Sequence, residues 1–341
     1  MRVLLVGNPT AQSGKAQARI DRARDAMEQR GWTVAVEPTA PAGKTIDNVA
    51  ARLASEAWEV VVYLGGDGTF REVAAAVVAA GDASDARMGM LPSGTANDQG
   101  KSFGVSARPE ALETNLDIIA EGNVIQLDVG EIERRPSGER ALFFDSVGFG
   151  FQARILERRN EDREKVQRIP VLRELYRDIA VYAGATLQQY ALSFTEATKF
   201  DADVVADGQA HRYEQLIDLV IKATAVYGGQ WVLDRNGAPD DGRFELVPFL
   251  GRRDWVSKIL RDLKDVPLWQ EHLEVLGLDH GETFSGARFE VKLTRTERPA
   301  VCSQIDGEEW LPGDHFLVTV REEKVPLLTP GAFVPPWAPP D

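Results

Sequence analysis

The residues best suited to chemistry in this 341-residue chain sit in short glycine-bearing loops. One is Gly65-Gly66-Asp67-Gly68-Thr69, between the apolar run Val60 to Leu64 and a helix-like run from Phe70 to Ala80. Glycines let a backbone approach a ligand, and helix-start N–H groups favour anions, so the loop suits phosphate, with Asp67 as a carboxylate for Mg²⁺. The same residues also suit a plain turn in which Asp67 caps the following helix.

Two further loops repeat the theme. Asn8, Pro9, Ser13 and Gly14 follow the first apolar run, Val3 to Val6. They do not form a P-loop, because six residues separate Gly7 from Gly14 and Ala16 follows Lys15. Gly94, Thr95, Asn97 and Asp98, in LPSGTANDQGKSFG, offer backbone, hydroxyl, amide and carboxylate groups at a helix start. One such loop is weak evidence. Three at the carboxyl edge of one sheet mark the place where open α/β sheets bind ligands.

In the second half, Asp241-Gly242 and Asp306-Gly307 read as two-residue hairpin turns. Asp306 and Glu308 are also carboxylates that a cleft could use as a general base. The four histidines (His211, His272, His280 and His315) share no metal-ligand spacing, which argues against zinc.

The elements that must position these residues fall into two textures. Strand runs and helical runs alternate over the first ~125 residues, which implies a parallel α/β sheet with right-handed crossovers. Beyond Gly122 the runs NVIQLDVGEIE and RALFFDSVGFG read as strands paired around RRPSGE. Later strand runs are LIDLVIKATAV, RFELVPFL, RFEVKLTR and HFLVTVRE. Helical stretches from Ala153 to Gln167 and Val171 to Gln189 interrupt this β-rich half, and the boundary falls near Leu127.

The bulk numbers narrow the partners. A formal charge of −14 argues against nucleic acid and makes any attraction to an anionic membrane a local matter. The charged helix ARILERRNEDREKVQR is a solvated face or a membrane-facing one, and Trp255, Leu268 and Trp269 are core or interfacial anchors. No window approaches the ~18 apolar residues of a membrane span. The short apolar run at the N-terminus reads as a strand, not a leader. With Cys302 as the sole cysteine, a reducing cytoplasm is expected. The tail matches a PxxP ligand at Pro336 to Pro339.

Taken together these segments resemble the diacylglycerol kinase catalytic-domain family, in its soluble bacterial lipid-kinase branch. The resemblance rests on the start at Asn8 to Gly14, on GGDGT at Gly65 to Thr69 and on LPSGTAND at Leu91 to Asp98. It continues through LDVG at Leu127 to Gly130, SVGFGFQA at Ser146 to Ala153, YGG at Tyr227 to Gly229, DDG at Asp240 to Gly242 and IDGE at Ile305 to Glu308. GGDGT alone is shared with NAD kinases and phosphofructokinases, so the ordered series carries the weight.

The resemblance implies an α/β nucleotide domain (1–126) beside a β-sandwich-like lipid-substrate domain (127–321, with a helical insertion at 153–190). The active site would lie in the cleft between them, and the segment 322–341 would return to the first domain. It implies ATP across Asn8 to Gly14, Thr39, Gly65, Gly66 to Glu72 (with Thr69 within) and Gly94 to Asp98, and Mg²⁺ at Asp67. Glu308 would be the catalytic base, supported by Asp306. A second, structural Mg²⁺ would sit at Asp241 with the main-chain oxygens of Ala238 and Arg243. The implied activity is Mg²⁺- and ATP-dependent phosphorylation of a lipid hydroxyl, foremost that of diacylglycerol. A soluble acceptor, or a non-catalytic nucleotide-binding regulator, is the alternative. The implied setting is transient contact with a membrane surface, with a homodimer left open. The chain departs from the family pattern at Arg71, where Asn is usual, and at Ala96, Gln99 and Asp145, where Gly, an aromatic residue and Asn are usual.

Overall fold

The structure is a computed structural model that describes residues 1–10, 15–157, 199–229, 231–233, 237–250, 283–295 and 300–331. Ser13, Gly14, the helical insertion from 158 onward, Trp255, Leu268, Trp269 and the proline-rich tail from 332 lie outside the described residues.

The first half alternates β1 (Arg2–Gly7), α1 (Lys15–Gln29), β2 (Thr33–Pro38), α2 (Lys44–Ser55), β3 (Val60–Gly65), α3 (Asp67–Ala80), β4 (Arg87–Pro92), α4 (Asp98–Ser102) and α5 (Leu112–Glu121). The strands are parallel in the order β2-β1-β3-β4. Successive residues of β1 and β3 point to opposite faces, and helices cover both. Val3, Leu5, Val60 and Val62 pack with Ile20, Met27 and Ile119 of α1 and α5. Leu4, Val6, Val61 and Tyr63 pack with Val49, Leu53, Phe70 and Val73 of α2 and α3. This two-sided burial is why these strands are unbroken apolar runs. It also leaves all three polar loops at one edge.

The second half contains β5 (Val124–Arg134), β6 (Arg140–Phe143), β7 (Ser146–Gly150), β8 (Phe200–Ala206), β9 (Gln209–Leu216), β10 (Asp218–Lys222), β11 (Val226–Tyr227), β12 (Trp231–Val232), β13 (Phe244–Phe249), β14 (Phe284–Gly286), β15 (Arg288–Thr294), β16 (Val301–Ile305), β17 (Glu308–Gly313) and β18 (His315–Leu328). Residues 151–157 are helical.

The first sheet does not stop at the change of texture. β18 lies antiparallel to β5 and β15, and its end runs parallel to β4, with Leu327 opposite Met88. One sheet therefore extends β2-β1-β3-β4-β18-β15-β8-β9, with β5 and β6 branching from β18. A second, six-stranded sheet, β14-β13-β10-β7-β16-β17, faces the antiparallel part. Its residues Val147, Phe149, Leu219 and Phe244 share a core with Phe143, Phe200, Phe289 and Phe316 of the first sheet. Ring centroids are 5.1 Å apart for Phe143–Phe244 and 4.8 Å for Phe149–Phe316. Each such buried ring stabilises the sandwich by about 1.5–3 kcal/mol.

Three local outcomes differ from the sequence pattern. The single strand expected over RALFFDSVGFG breaks at Phe144-Asp145, so that β6 stays in the first sheet and β7 crosses to the second. The pattern gave no sign of the β8–β9 hairpin, although its turn residues Asp207 and Gly208 are both left-handed, at φ 46° and 86°. The helix after GGDGT starts at Asp67 rather than Phe70, so the glycine loop closes directly into a helical turn.

Candidate active site

Gly66 stands extended before α3, at φ −95°, and its carbonyl accepts the N–H groups of Thr69 and Phe70 at 3.0 Å each. The Leu91–Asp98 loop is pressed against it. Ser93 N–H donates to the Gly65 carbonyl at 2.7 Å. A Cβ on Gly94 would come within 2.5 Å of Gly66 Cα, so only glycine permits this approach. Asn97 knots its own loop: Oδ1 accepts Gly94 N–H at 2.7 Å, and Nδ2 donates to the Gly94 carbonyl at 2.8 Å. That closure holds Asn97 left-handed, at φ 53°.

Asp67 is not a cap for its own helix. Its Oδ2 accepts the Asn97 N–H at 2.9 Å, across the gap between the loops. Burial raises its pKa, the Asp145 charge adds to this, and the N–H groups of Gln99, Asn97 and Asp98 oppose it. Asp98 Oδ2 accepts Gly228 N–H at 2.8 Å, while its Oδ1 is buried without a hydrogen-bond partner. Burial, with Asp145 and Asp67 close by, pushes the Asp98 carboxyl up to about 8.

Asp306 and Gly307 form the left-handed turn between β16 and β17, at φ 49° and 76°. The hairpin reading is therefore correct for Asp306-Gly307, whose turn also aims a carboxylate inward, but not for Asp241-Gly242, because β13 pairs with β10 and β14 and not with β12. Asp306 Oδ1 accepts the N–H groups of Asp145 at 2.8 Å and Ser146 at 3.0 Å, and Oδ2 that of Phe144 at 3.1 Å. This is what breaks the strand there: those N–H groups are taken by a carboxylate instead of a neighbouring strand. Burial and the Asp145 charge raise the Asp306 carboxyl to about 6, against the pull of Arg71 and the backbone donors. Arg71 Nε lies 3.7 Å from Asp306 Oδ2. Two departures from the family pattern, Arg71 and Asp145, thus meet at Asp306. A third, Gln99, donates Nε2 to the Phe144 carbonyl at 3.1 Å, beside the same turn.

A cavity of about 440 Å³ opens between the two halves. Gly66, Asp67, Gly68, Thr95, Ala96 and Asp98 line it from the first half, and Asp145, Gln304, Asp306, Gly307 and Glu308 from the second. Glu308 opens β17 and is exposed. An apolar wall of Ile155, Leu156, Tyr227 and Trp231, with Gln152, completes the cavity. The sequence reading did not single out Gln152, Ile155, Leu156, Trp231 or Gln304. Three stretches pointed toward that side: Tyr227-Gly228-Gly229, SVGFGFQA with Gln152, and the charged helix with Ile155 and Leu156.

The remaining expected residues lie off this cavity's lining. Asn8 Oδ1 accepts the Thr10 N–H and hydroxyl at 3.0 and 2.9 Å, which stiffens the turn at Pro9. Thr39 N–H donates to the Gly7 carbonyl at 2.9 Å, so it flanks the end of β1. Glu72 is half-buried on α3, and burial raises its carboxyl against a hydrogen bond from Thr45. Gly65 lies against the Thr69 side chain; a Cβ there would stand 2.4 Å from its hydroxyl. Asp241 spends Oδ1 on the Arg243 N–H at 2.9 Å within its own exposed turn. Ala238 belongs to the same loop, which is tied to buried Asp128 by Gly242 N–H at 2.7 Å, and Asp128 is ion-paired with Lys324.

Among the described residues no three His, Cys, Asp or Glu side chains form a ready-made metal cage. The donors at the cleft nevertheless fit Mg²⁺. They are oxygens only, one buried carboxylate oxygen lacks a partner, and Mg²⁺ commonly uses one or two carboxylates together with substrate phosphate.

Glycine turns at the carboxyl edge of a parallel sheet thus face an acidic cleft roofed by a β-sandwich, an arrangement suited to binding phosphate. Residues 2–132 match the diacylglycerol kinase catalytic domain. The chain is similar to a "Diacylglycerol kinase" of Staphylococcus carnosus, 25% identical over 247 residues, 72% of each chain. It is also similar to "Probable lipid kinase YegS-like" of Citrobacter koseri, 35% identical over 97 residues, 28% of this chain and only 30% of that relative. The fold matches a crystal structure of a diacylglycerol kinase from Bacillus anthracis with a TM-score of 0.66 and 15% identity, over 98% of both chains.

Proposed function

We propose that this protein is an ATP- and Mg²⁺-dependent lipid kinase that phosphorylates a lipid hydroxyl, with diacylglycerol as acceptor and phosphatidate as product. The observation that carries this reading is the composition of the cleft: phosphate-type glycine turns and carboxylates together with an apolar wall of Ile155, Leu156, Tyr227 and Trp231. Such a wall suits the acyl-bearing end of a lipid acceptor, whose apolar surface leaves water there.

In this reading Glu308 takes the acceptor hydroxyl proton as that oxygen attacks the γ-phosphorus of ATP, whose bond to the β–γ bridging oxygen breaks to release ADP. Its exposure at the cavity rim suits a residue that meets an incoming substrate. Asp306 orients the Glu308 turn from below through three backbone N–H groups. The Gly66–Gly68 turn offers N–H groups to the transferring phosphoryl, where electrostatic stabilisation is most of the catalytic task. Asp67 and Asp98 would hold Mg²⁺, which would supply positive charge to offset that of the phosphates. No helix among the described residues is long and apolar enough to cross a membrane.

The test is transfer from γ-labelled ATP to diacylglycerol in mixed micelles. Label in phosphatidate that disappears in Glu308→Gln supports the reading. Label found only on water-soluble products would sink the lipid assignment.

A further inference from the structure

We propose that Asp145 and Lys222 form a buried positioning pair that fixes the acceptor wall of the cleft, an inference that rests on the lipid-kinase reading for the identity of the acceptor. Lys222 ends β10 and is 1% exposed. Its Nζ donates to Asp145 Oδ1 at 2.9 Å and to the Val226 carbonyl at 3.0 Å, and lies 5.0 Å from the Tyr227 ring centre. Asp145 gathers the same strand end from the other side. Its Oδ1 accepts the Thr224 hydroxyl at 2.6 Å, and its carbonyl accepts Ala223 N–H at 2.8 Å. Segment 222–227 is therefore wrapped around one carboxylate, and Tyr227 at its end lines the cavity.

The far end of that segment is tied to the nucleotide half. Ser102 Oγ accepts Val226 N–H at 2.9 Å, Asp98 accepts Gly228 N–H, and Lys101 Nζ donates to the Gly229 carbonyl at 2.7 Å. Asp145 meanwhile gives its own N–H to Asp306. The pair thus stands where the base-bearing turn, the apolar wall and the α4 loop meet. Breaking a buried pair by removing one partner is costly, but exchanging both for neutral residues of similar size is tolerated. A neutral pair would balance the charge yet lose the Lys222 bond to Val226, freeing the wall while leaving net charge near Asp67 and Asp98 unchanged.

The discriminating variant is Asp145→Asn with Lys222→Met, assayed with MgATP and dioctanoylglycerol in mixed micelles, alongside each single variant and Thr224→Val. The pair as a positioning device predicts that the double variant regains the melting temperature lost in Lys222→Met. Its KM for dioctanoylglycerol stays raised about tenfold, while its KM for ATP stays within about twofold of wild type. Thr224→Val, which leaves both charges in place, raises the acceptor KM alone, and it keeps the test decisive if Lys222→Met fails to fold. Recovery of the acceptor KM together with the melting temperature, or an equal rise in both KM values, would overturn the proposal. A wild-type protein with no transfer to dioctanoylglycerol would refute the function reading instead. The pair is then decided by hydrogen exchange: amides of 223–229 exchange about tenfold faster in the double variant, and unchanged exchange overturns it.

Discussion

Gly68 and Gly94 belong to neighbouring loops, yet alanine should act on them in opposite ways. At Gly94 the new Cβ would stand 2.5 Å from Gly66 Cα, against a normal carbon–carbon contact of about 3.5–4.0 Å. Neither backbone can yield freely, because Gly66 O holds two N–H groups of α3 and Ser93 is tied to Gly65. Overpacking of this kind costs about 1–3 kcal/mol, and a loop displaced by about 1 Å loses about a hundredfold in turnover. At Gly68 no atom lies within 4 Å of the new Cβ, and the residue is helical. Gly68→Ala should therefore gain up to about 1 kcal/mol of helix stability while placing a methyl group in the cavity where phosphate would lie. Urea melts of the two variants, paired with kcat/KM for MgATP, test this directly. Gly94→Ala should lose both stability and turnover, and Gly68→Ala should keep or gain stability and lose turnover. Full turnover in Gly68→Ala would refute the phosphate role of the turn, and wild-type stability in Gly94→Ala would refute the locked loops.

Asp67→Asn should lower phosphoryl transfer by at least about a hundredfold at saturating Mg²⁺ and weaken MgATP binding in a calorimetric titration. Asp306, near 6, must lose its proton to accept its backbone donors fully, so activity should fall as pH drops through 6. Replacing Arg71 with Asn removes a cation 3.7 Å away that is about one-third exposed; this is worth about 1–2 kcal/mol and should move that acidic limb up by about one pH unit. Asp218 is fully buried, and burial raises its carboxyl far above the ordinary range, so the charged form is the disfavoured one. Its contribution to stability is complete below the unfolded carboxylate range and is lost as pH rises through the folded value. Asp218→Asn should therefore be more stable than wild type by a margin that widens from pH 5 to pH 8 in denaturant melts.

The parallel sheet was legible because two-sided burial writes unbroken apolar runs such as VLLV and VVVYL. The hairpin at Asp306 was legible from Asp-Gly. What the residues alone could not decide was whether Asp67 caps a helix or faces a ligand, because both fit the same five letters; the partner that decides it, Asn97 N–H, is thirty positions away. The strand break at Phe144-Asp145 was hidden for the same reason, since it depends on a carboxylate from residue 306. β8 was missed because alternating FDADVVA has few apolar letters in a row, although the burial of Phe200, Ala202, Val204 and Ala206 shows its period of two. Lys222 reads as an ordinary strand-end lysine until Asp145 is placed beside it.

In the proposed function the acidic cleft transfers phosphoryl to a lipid hydroxyl with Glu308 as base. The most direct measurement is a single-turnover assay of γ-labelled ATP with dioctanoylglycerol, wild type against Glu308→Gln, with MgATP affinity measured in parallel. A Glu308 base requires label in the organic phase for wild type, a loss of at least about a hundredfold for the variant, and equal MgATP affinity for both. Comparable transfer by the two proteins, or label that never leaves the aqueous phase, would contradict it.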